Sequence, residues 1–235
     1  MLPKIFKNTT GNSEFNRYEN MPYVSYSQLT SYLDETYWME YYTQYFSGIK
    51  SEGNDFSFMG NLVGETIQQI GENREVTTEI SREDLEIIKA NFNFEGDNKY
   101  EDPCIIDFGD FILIGYADKV GYFHEEKAVE VLDVKTLNLD KKADYYASKD
   151  YRQTTLYSYY FETKGFKIKD SFVLGYGRKG SQIDGQGNFK MRLSGDVVKI
   201  PTPYSKERAE EALEYVRETT KKISEDWKTF QKLFA

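Results

Sequence analysis

Three residues in the segment GYADKVGYFHEEKAVEVLDVKT have the types and spacing that chemistry needs: Asp118 closes one expected strand, and Asp133 and Lys135 stand two apart at the end of another. Side chains at i and i+2 of a strand point to the same side, so Asp133 and Lys135 project together, and a neighbouring antiparallel strand can bring Asp118 beside them. Two carboxylates can then hold a hard divalent cation while the ammonium orients or helps deprotonate a water, the arrangement required for metal-assisted phosphodiester hydrolysis. A plainer reading stays open on these residues alone, because Asp, Asp and Lys on adjacent strands also make an ordinary surface ion pair worth at most ~1 kcal/mol. Context weighs toward chemistry: the pair follows Val129, Val131 and Leu132, a buried-type run in which charged groups are otherwise costly.

The rest of the composition narrows the candidate groups. The chain of 235 residues has one cysteine, Cys104, which excludes an internal disulfide, a cysteine-rich zinc module and a four-cysteine cluster, and which fits a reducing compartment. One histidine, His124, excludes HExxH peptidases and any mechanism that needs two histidines, leaving carboxylates and lysine. In GYFHEEKA it reads as a solvated loop residue, with a pH-sensitive or metal role as the alternative. A hydrophobic fraction of 39% supports one substantial core and a single domain over residues 1–235. Apolar stretches such as Phe111 to Ile114 fall far short of the ~20 residues of a membrane span. The opening MLPKIFKNTT lacks the apolar run of a secretory signal, so a cytoplasmic protein with no membrane association is expected.

A net charge of -9 taken alone argues against a nucleic-acid partner, since phosphate contacts draw on Lys and Arg. The average hides a polarised chain. Residues 52–134 hold 20 acidic and 6 basic residues, whereas residues 135–192 hold 12 basic and 6 acidic ones. The basic block could form one positive face of the kind on which a polyanion docks, although Lys and Arg at loop tips are more often simply solvated.

The elements that must position the triad can be read from periodicity. Residues 1–20, polar and rich in Asn, are expected to be loosely held. Ser25 or Ser27 caps a helix running to about Phe46, with aromatics four apart at Tyr37, Tyr41 and Tyr45 and at Trp38, Tyr42 and Phe46. Further helices are expected at Gly60 to Gln69 and at 81–91, the latter capped by Ser81 with Asp84 three residues on. The period then changes to that of strands: 104–107, 111–118 and 128–134 form a three-stranded meander. A Tyr-rich helix from about Ala143 to Thr163, a strand at Ser171 to Tyr176, a hairpin from Phe189 to Ile200 closed by Pro201 and Pro203, and a C-terminal amphipathic helix over 205–235 complete the chain. The expected fold is α/β.

The ordered set of these blocks resembles the PD-(D/E)XK nuclease superfamily, and within it the RecB-like branch. SYSQLTSYLDETYWMEYY is similar to that branch's Ser-x-Ser helix, IGYADKV to its G-x-x-D strand with Gly115 and Asp118, EVLDVKT to its D-x-K core, and RQTTLYSYY to its Q-x-x-x-Y helix with Gln153 and Tyr157. The resemblance implies a restriction-endonuclease-like core, a mixed central β-sheet flanked by α-helices. It implies that Asp118, Asp133 and the Val134 carbonyl bind Mg2+, with Mn2+ as a substitute, that Lys135 acts on the attacking water or the phosphate, and that Gln153 supports the site. Tyr157 and Arg152 would approach the DNA strand. Independently of the resemblance, Arg178 and Lys179, in the loop at 177–180, extend the basic block past the expected site, where phosphates could be gripped. Core packing is the competing role for Tyr157.

One block departs from the pattern. Relatives place a His or Glu four residues after a helical glycine, but FMGNLVGETIQ has Gly64 at that spacing and Glu65 next to it, one residue and ~100° of helix from the expected face. Either Glu65 is turned inward as a metal ligand or the site works without one. Relatives with an iron-sulfur cluster use four cysteines, so that cofactor is not expected here. The implied activity is a metal-dependent DNA nuclease, an exonuclease serving recombination, repair or phage DNA metabolism, with DNA and a recombination or replication protein as partners. A non-cleaving nucleic-acid-binding or scaffold subunit, and a restriction-type endonuclease, are the competing readings.

Overall fold

The computed structural model describes residues 2–33, 41–49, 55–138, 146, 149, 151–180 and 190–234. Tyr37 and Trp38 of the aromatic helix, Ala143 and Tyr145 of the Tyr-rich helix and Phe189 of the expected hairpin lie outside them. The architecture is mixed α/β: a six-stranded sheet in the order β1 (Tyr23–Ser25), β3 (Ile112–Phe123), β4 (Ala128–Leu137), β5 (Lys167–Lys179), β6 (Arg192–Pro201), with β2 (Asp97–Asp107) pairing with β3. The β1–β3 and β4–β5 pairs are parallel, and β3–β4 and β5–β6 are antiparallel. Among the described residues no helix is long and apolar enough to cross a membrane.

By their contacts the residues form two compact units, one drawn from 1–52, 103–116 and 206–235, the other from 53–102 and 117–205. In the first, Ser25 caps α1 (Tyr26–Leu33): the Gln28 N–H donates to Ser25 Oγ at 3.3 Å. The single helix expected through Phe46 is replaced at its end by a π-helical turn, Tyr42–Phe46. Tyr41, Tyr45 and Phe46 are all buried there, and Phe46 packs on Trp227 and Phe230 of the long helix at Lys206–Phe234. A wider turn puts neighbouring aromatics into one cluster, which a regular helical stripe would splay apart. Asp226 accepts the hydroxyls of Tyr32 (2.7 Å) and Tyr42 (3.2 Å).

The opening residues also depart from expectation. Phe6, Phe15 and Tyr18 are buried in one core cluster with Ile105, Ile112 and Ile114, and a 3-10 helix forms at Ser13–Tyr18. Polar composition concealed three aromatic anchors, and anchors rather than average polarity decide order.

In the second unit, α2 (Asp55–Gly71) lays Met59, Val63 and Ile67 against Leu132, Phe172, Leu174 and Tyr176 of the sheet. Ser81 caps α3 (Arg82–Asn91) by accepting the Asp84 N–H at 3.1 Å. Asp84 in turn accepts the Leu193 N–H of β6 at 2.9 Å. Parallel β4 and β5 need a crossover, and α4 (Arg152–Thr163) lies on it. Thr154 and Ser171 both bond to Thr202 at 3.0 Å, tying α4 to the sheet.

The hairpin expected within Phe189 to Ile200 does not form: 192–201 is one strand, paired with β5. Ser194-Gly195-Asp196, which reads as a turn, is accommodated as an irregularity: Gly195 has φ +97°, Asp196 N–H donates to Ser194 Oγ, and the β5–β6 register shifts nearby. The helix at Lys206–Phe234, labelled α5, buries Ala212, Leu213, Val216 and Ile223 as its apolar stripe requires, while Leu233 remains exposed.

Candidate active site

Register places the triad. The β3–β4 ladder pairs Phe123 with Ala128 and runs up to Lys119 opposite Leu132. One residue further, the Val134 N–H donates to the Asp118 carboxylate (Oδ2, 2.5 Å). Two apart on β4, Lys135 Nζ reaches both oxygens of Asp133, at 2.9 Å to Oδ1 and 2.8 Å to Oδ2. The strand alternation expected for Asp133 and Lys135 is therefore realised as a bidentate ion pair. Asp133 is 1% exposed, whereas the Lys135 side chain keeps 41% of its surface open. Leu132, of opposite parity, joins the core under α2.

Asp118, Val134, Lys135 and Thr136 form one side of an open cleft of about 720 Å³. The other side is the second stripe of α2. Where Met59, Val63 and Ile67 face the core, Phe56, Gly60, Gly64 and Gln68, with Ser57, Asn61 and Glu65, face the cleft. Gly60 sits where α2 approaches β4, a Cβ there falling 3.8 Å from Thr136 Oγ1, while a Cβ on Gly64 would meet nothing within 4 Å. Glu65 lines the same cleft and accepts from Gln69 Nε2 at 3.3 Å.

Two further cleft residues escaped the sequence reading. Glu101, on β2, takes φ +49°, a left-handed backbone that a non-glycine residue adopts only under constraint. The constraint is visible next to it: the Tyr100 ring lies so close over Gly71 that a Cβ there would come within 2.1 Å. Phe56, 44% exposed, carries the Arg178 guanidinium over its ring at 4.0 Å. Neither had a local signal, since Phe56 lies three residues from Met59 and reads as the start of the apolar stripe, and Glu101 sits in an acidic run.

The cleft is electrostatically crowded. Burial, then the charge of Asp133, pushes the Asp118 carboxyl up to about 8, against the opposing pull of Lys135 and the Val134 N–H. Burial works to lower the Lys135 ammonium, and the Asp133 and Asp118 charges outweigh it, leaving the group above its ordinary value. Glu101 is likewise raised, first by burial and then by Asp133. Asp118 and Lys135 are both partly buried and line the cleft.

Among the described residues, no three Asp, Glu, His or Cys side chains stand together in ligating geometry. The donor set of Asp118, Asp133 and the Val134 carbonyl is of hard oxygens, the chemistry that suits Mg2+ or Mn2+. Lys135 is the counter-ion that Asp133 holds in this structure.

Other expected residues stand elsewhere. Gln153 Nε2 donates to Tyr157 Oη at 2.9 Å on α4, Tyr157 is buried, and neither they nor Arg152 line the cleft. Arg178 does line it, and Lys179 is the exposed end of β5. Along β5, Lys169 pairs with Glu126 near one end and Arg178 lies near the other, about 30 Å away at ~3.3 Å per residue. His124 is exposed as expected and hydrogen-bonds Asp97, and Cys104 is free and buried.

No protein-family model matches the chain, and no curated protein matches it. Among solved structures it is similar to one from Eubacterium rectale described as a "putative exonuclease", at 12% identity and a TM-score of 0.52, over 96% of this chain and 87% of that one. That likeness is one of fold: a mixed sheet flanked by helices.

Proposed function

We propose that this chain is a magnesium-dependent deoxyribonuclease of the RecB-like branch of the PD-(D/E)XK superfamily, acting as an exonuclease in the cytoplasm, in recombination, repair or phage DNA metabolism. The observation that carries the reading is the meeting of Asp118, Asp133 and Lys135 where the β3–β4 ladder ends, beside an open cleft that also holds Arg178. A cation held by Asp118, Asp133 and the Val134 carbonyl would stabilise the charge that develops on phosphorus oxygens. Lys135, released from Asp133, orients the attacking water or a phosphate oxygen. Arg178 contacts a neighbouring phosphate, and Glu65 supplies a further carboxylate from α2. The water oxygen bonds to phosphorus as the ester bond to the leaving sugar oxygen breaks.

A second reading is favoured by Gly64, which leaves open space where relatives carry a ligand: a non-cleaving DNA-binding or scaffold subunit. The test is digestion of end-labelled linear and covalently closed circular DNA, single and double stranded, in Mg2+, Mn2+ or EDTA, by wild type and Asp133→Asn. Metal-dependent loss of linear DNA alone, abolished by the substitution, is the expected result. Discrete fragments from the circle point to an endonuclease, and DNA binding without digestion in any metal overturns the nuclease in favour of the scaffold.

A further inference from the structure

We propose that Phe56 and Arg178 form a stacking platform for an unpaired base, which makes the cleft a site for single-stranded DNA. The inference deepens the nucleic-acid reading of the cleft and names its substrate class. A lone exposed phenylalanine is ordinary on a protein surface. This one lies at the cleft, 44% exposed, with the Arg178 guanidinium 4.0 Å from its ring centroid, and both residues line the same cleft as Asp118 and Lys135.

The rest of that wall makes room for a strand. Phe56 is followed on the cleft stripe of α2 by Ser57, Gly60, Asn61 and Gly64, all small or polar, and the position of a Gly64 Cβ is open space. A backbone can therefore lie close along the helix while a base turns onto the ring. Stacking of a base on an aromatic side chain is tolerant of sequence, since every base has a π face, and a guanidinium on the same ring adds a cation for the adjoining phosphate. The cleft, about 720 Å³, lies within the roughly 300–1,000 Å³ of sites for drug-sized molecules, room enough for a nucleotide unit. A base still paired in a helix has both faces stacked and cannot reach Phe56 without being unpaired first.

The experiment measures binding apart from cleavage. Fluorescence anisotropy in EDTA compares a labelled oligothymidylate with a blunt duplex of the same length, for wild type, Phe56→Ala, Phe56→Tyr and Arg178→Ala. Circular dichroism checks that each variant is folded. The wild type is expected to bind the single strand more tightly than the duplex, Phe56→Ala to lose roughly 5- to 150-fold for the single strand with little change for the duplex, and Phe56→Tyr to restore binding. Equal affinity for both DNAs, an equal loss for both in Phe56→Ala, or no binding of either overturns the platform. Digestion by wild type and Asp133→Asn is run alongside: the platform can hold where cleavage fails, and cleavage can hold where Phe56→Ala changes nothing.

Discussion

Asp118 and Glu101 each hold an unfavourable state in the fold, and each state makes a prediction. The folded Asp118 carboxyl, raised to about 8 by burial and by Asp133, stays protonated where the unfolded chain has already ionised. Its contribution to stability is therefore fully present below the ordinary carboxylate range and lost as pH rises through about 8. Asp118→Asn should gain stability relative to wild type steadily between about pH 4 and pH 8 in metal-free buffer, which thermal melts at matched pH would record. A constant difference across that range would contradict the buried, crowded carboxyl. Glu101 sits at φ +49° beside the same charges. Glu101→Gly removes backbone strain of about 1–2 kcal/mol, so the unfolding midpoint should not fall, while DNA digestion should slow if its carboxylate serves the cleft. A drop in midpoint would show that the side chain holds β2 in place.

At the scale of the element, α2 does two tasks with two stripes, and its glycines divide accordingly. Gly64 faces open space and Gly71 lies under the Tyr100 ring. Gly64→Ala should stabilise by about 0.5–1 kcal/mol, the helix propensity gain. Gly71→Ala should destabilise by about 1–3 kcal/mol through overpacking, because its methyl would stand 2.1 Å from a buried ring. Urea denaturation of both variants checks the opposite signs, and two changes of the same sign would refute the packing described. The same element shows how legible the sequence was. The sequence marks a helix at Gly60 to Gln69, but only the structure begins it at Asp55, with Met59, Val63 and Ile67 toward the core and Phe56 toward the cleft. The Ser194-Gly195-Asp196 segment misleads for the same reason, since turn chemistry can be absorbed as a bulge once β5 offers a pairing edge.

For the molecule as a whole, charge sets the expectation. A chain of net charge -9 with Lys135 and Arg178 as the cleft cations should bind single-stranded DNA through few phosphates. With two contacts, log Kobs against log [salt] should slope near -1.4 at ~0.7 per contact. A slope steeper than about -4 would mean a broad basic face after all. The sequence suggested such a face, and among its described residues Lys169 and Arg178 stand toward opposite ends of β5.

The sequence by itself determined several of the elements and the parity of β4. Periodicity marked α2, α3 and α5, Ser81 marked its cap, and Asp133 and Lys135 two apart on β4 had to share a side. These are local properties, fixed by backbone geometry within a few residues. Tertiary structure decided what depends on residues distant along the chain. Asp118 meets the Val134 N–H because the β3–β4 ladder ends there, Glu101 lines the cleft next to a Tyr100 ring packed on Gly71, and Gln153 and Tyr157 bond to each other on α4, away from the cleft lining. Register, close approach and desolvation have no signature in a window of sequence, because each is a property of two segments at once.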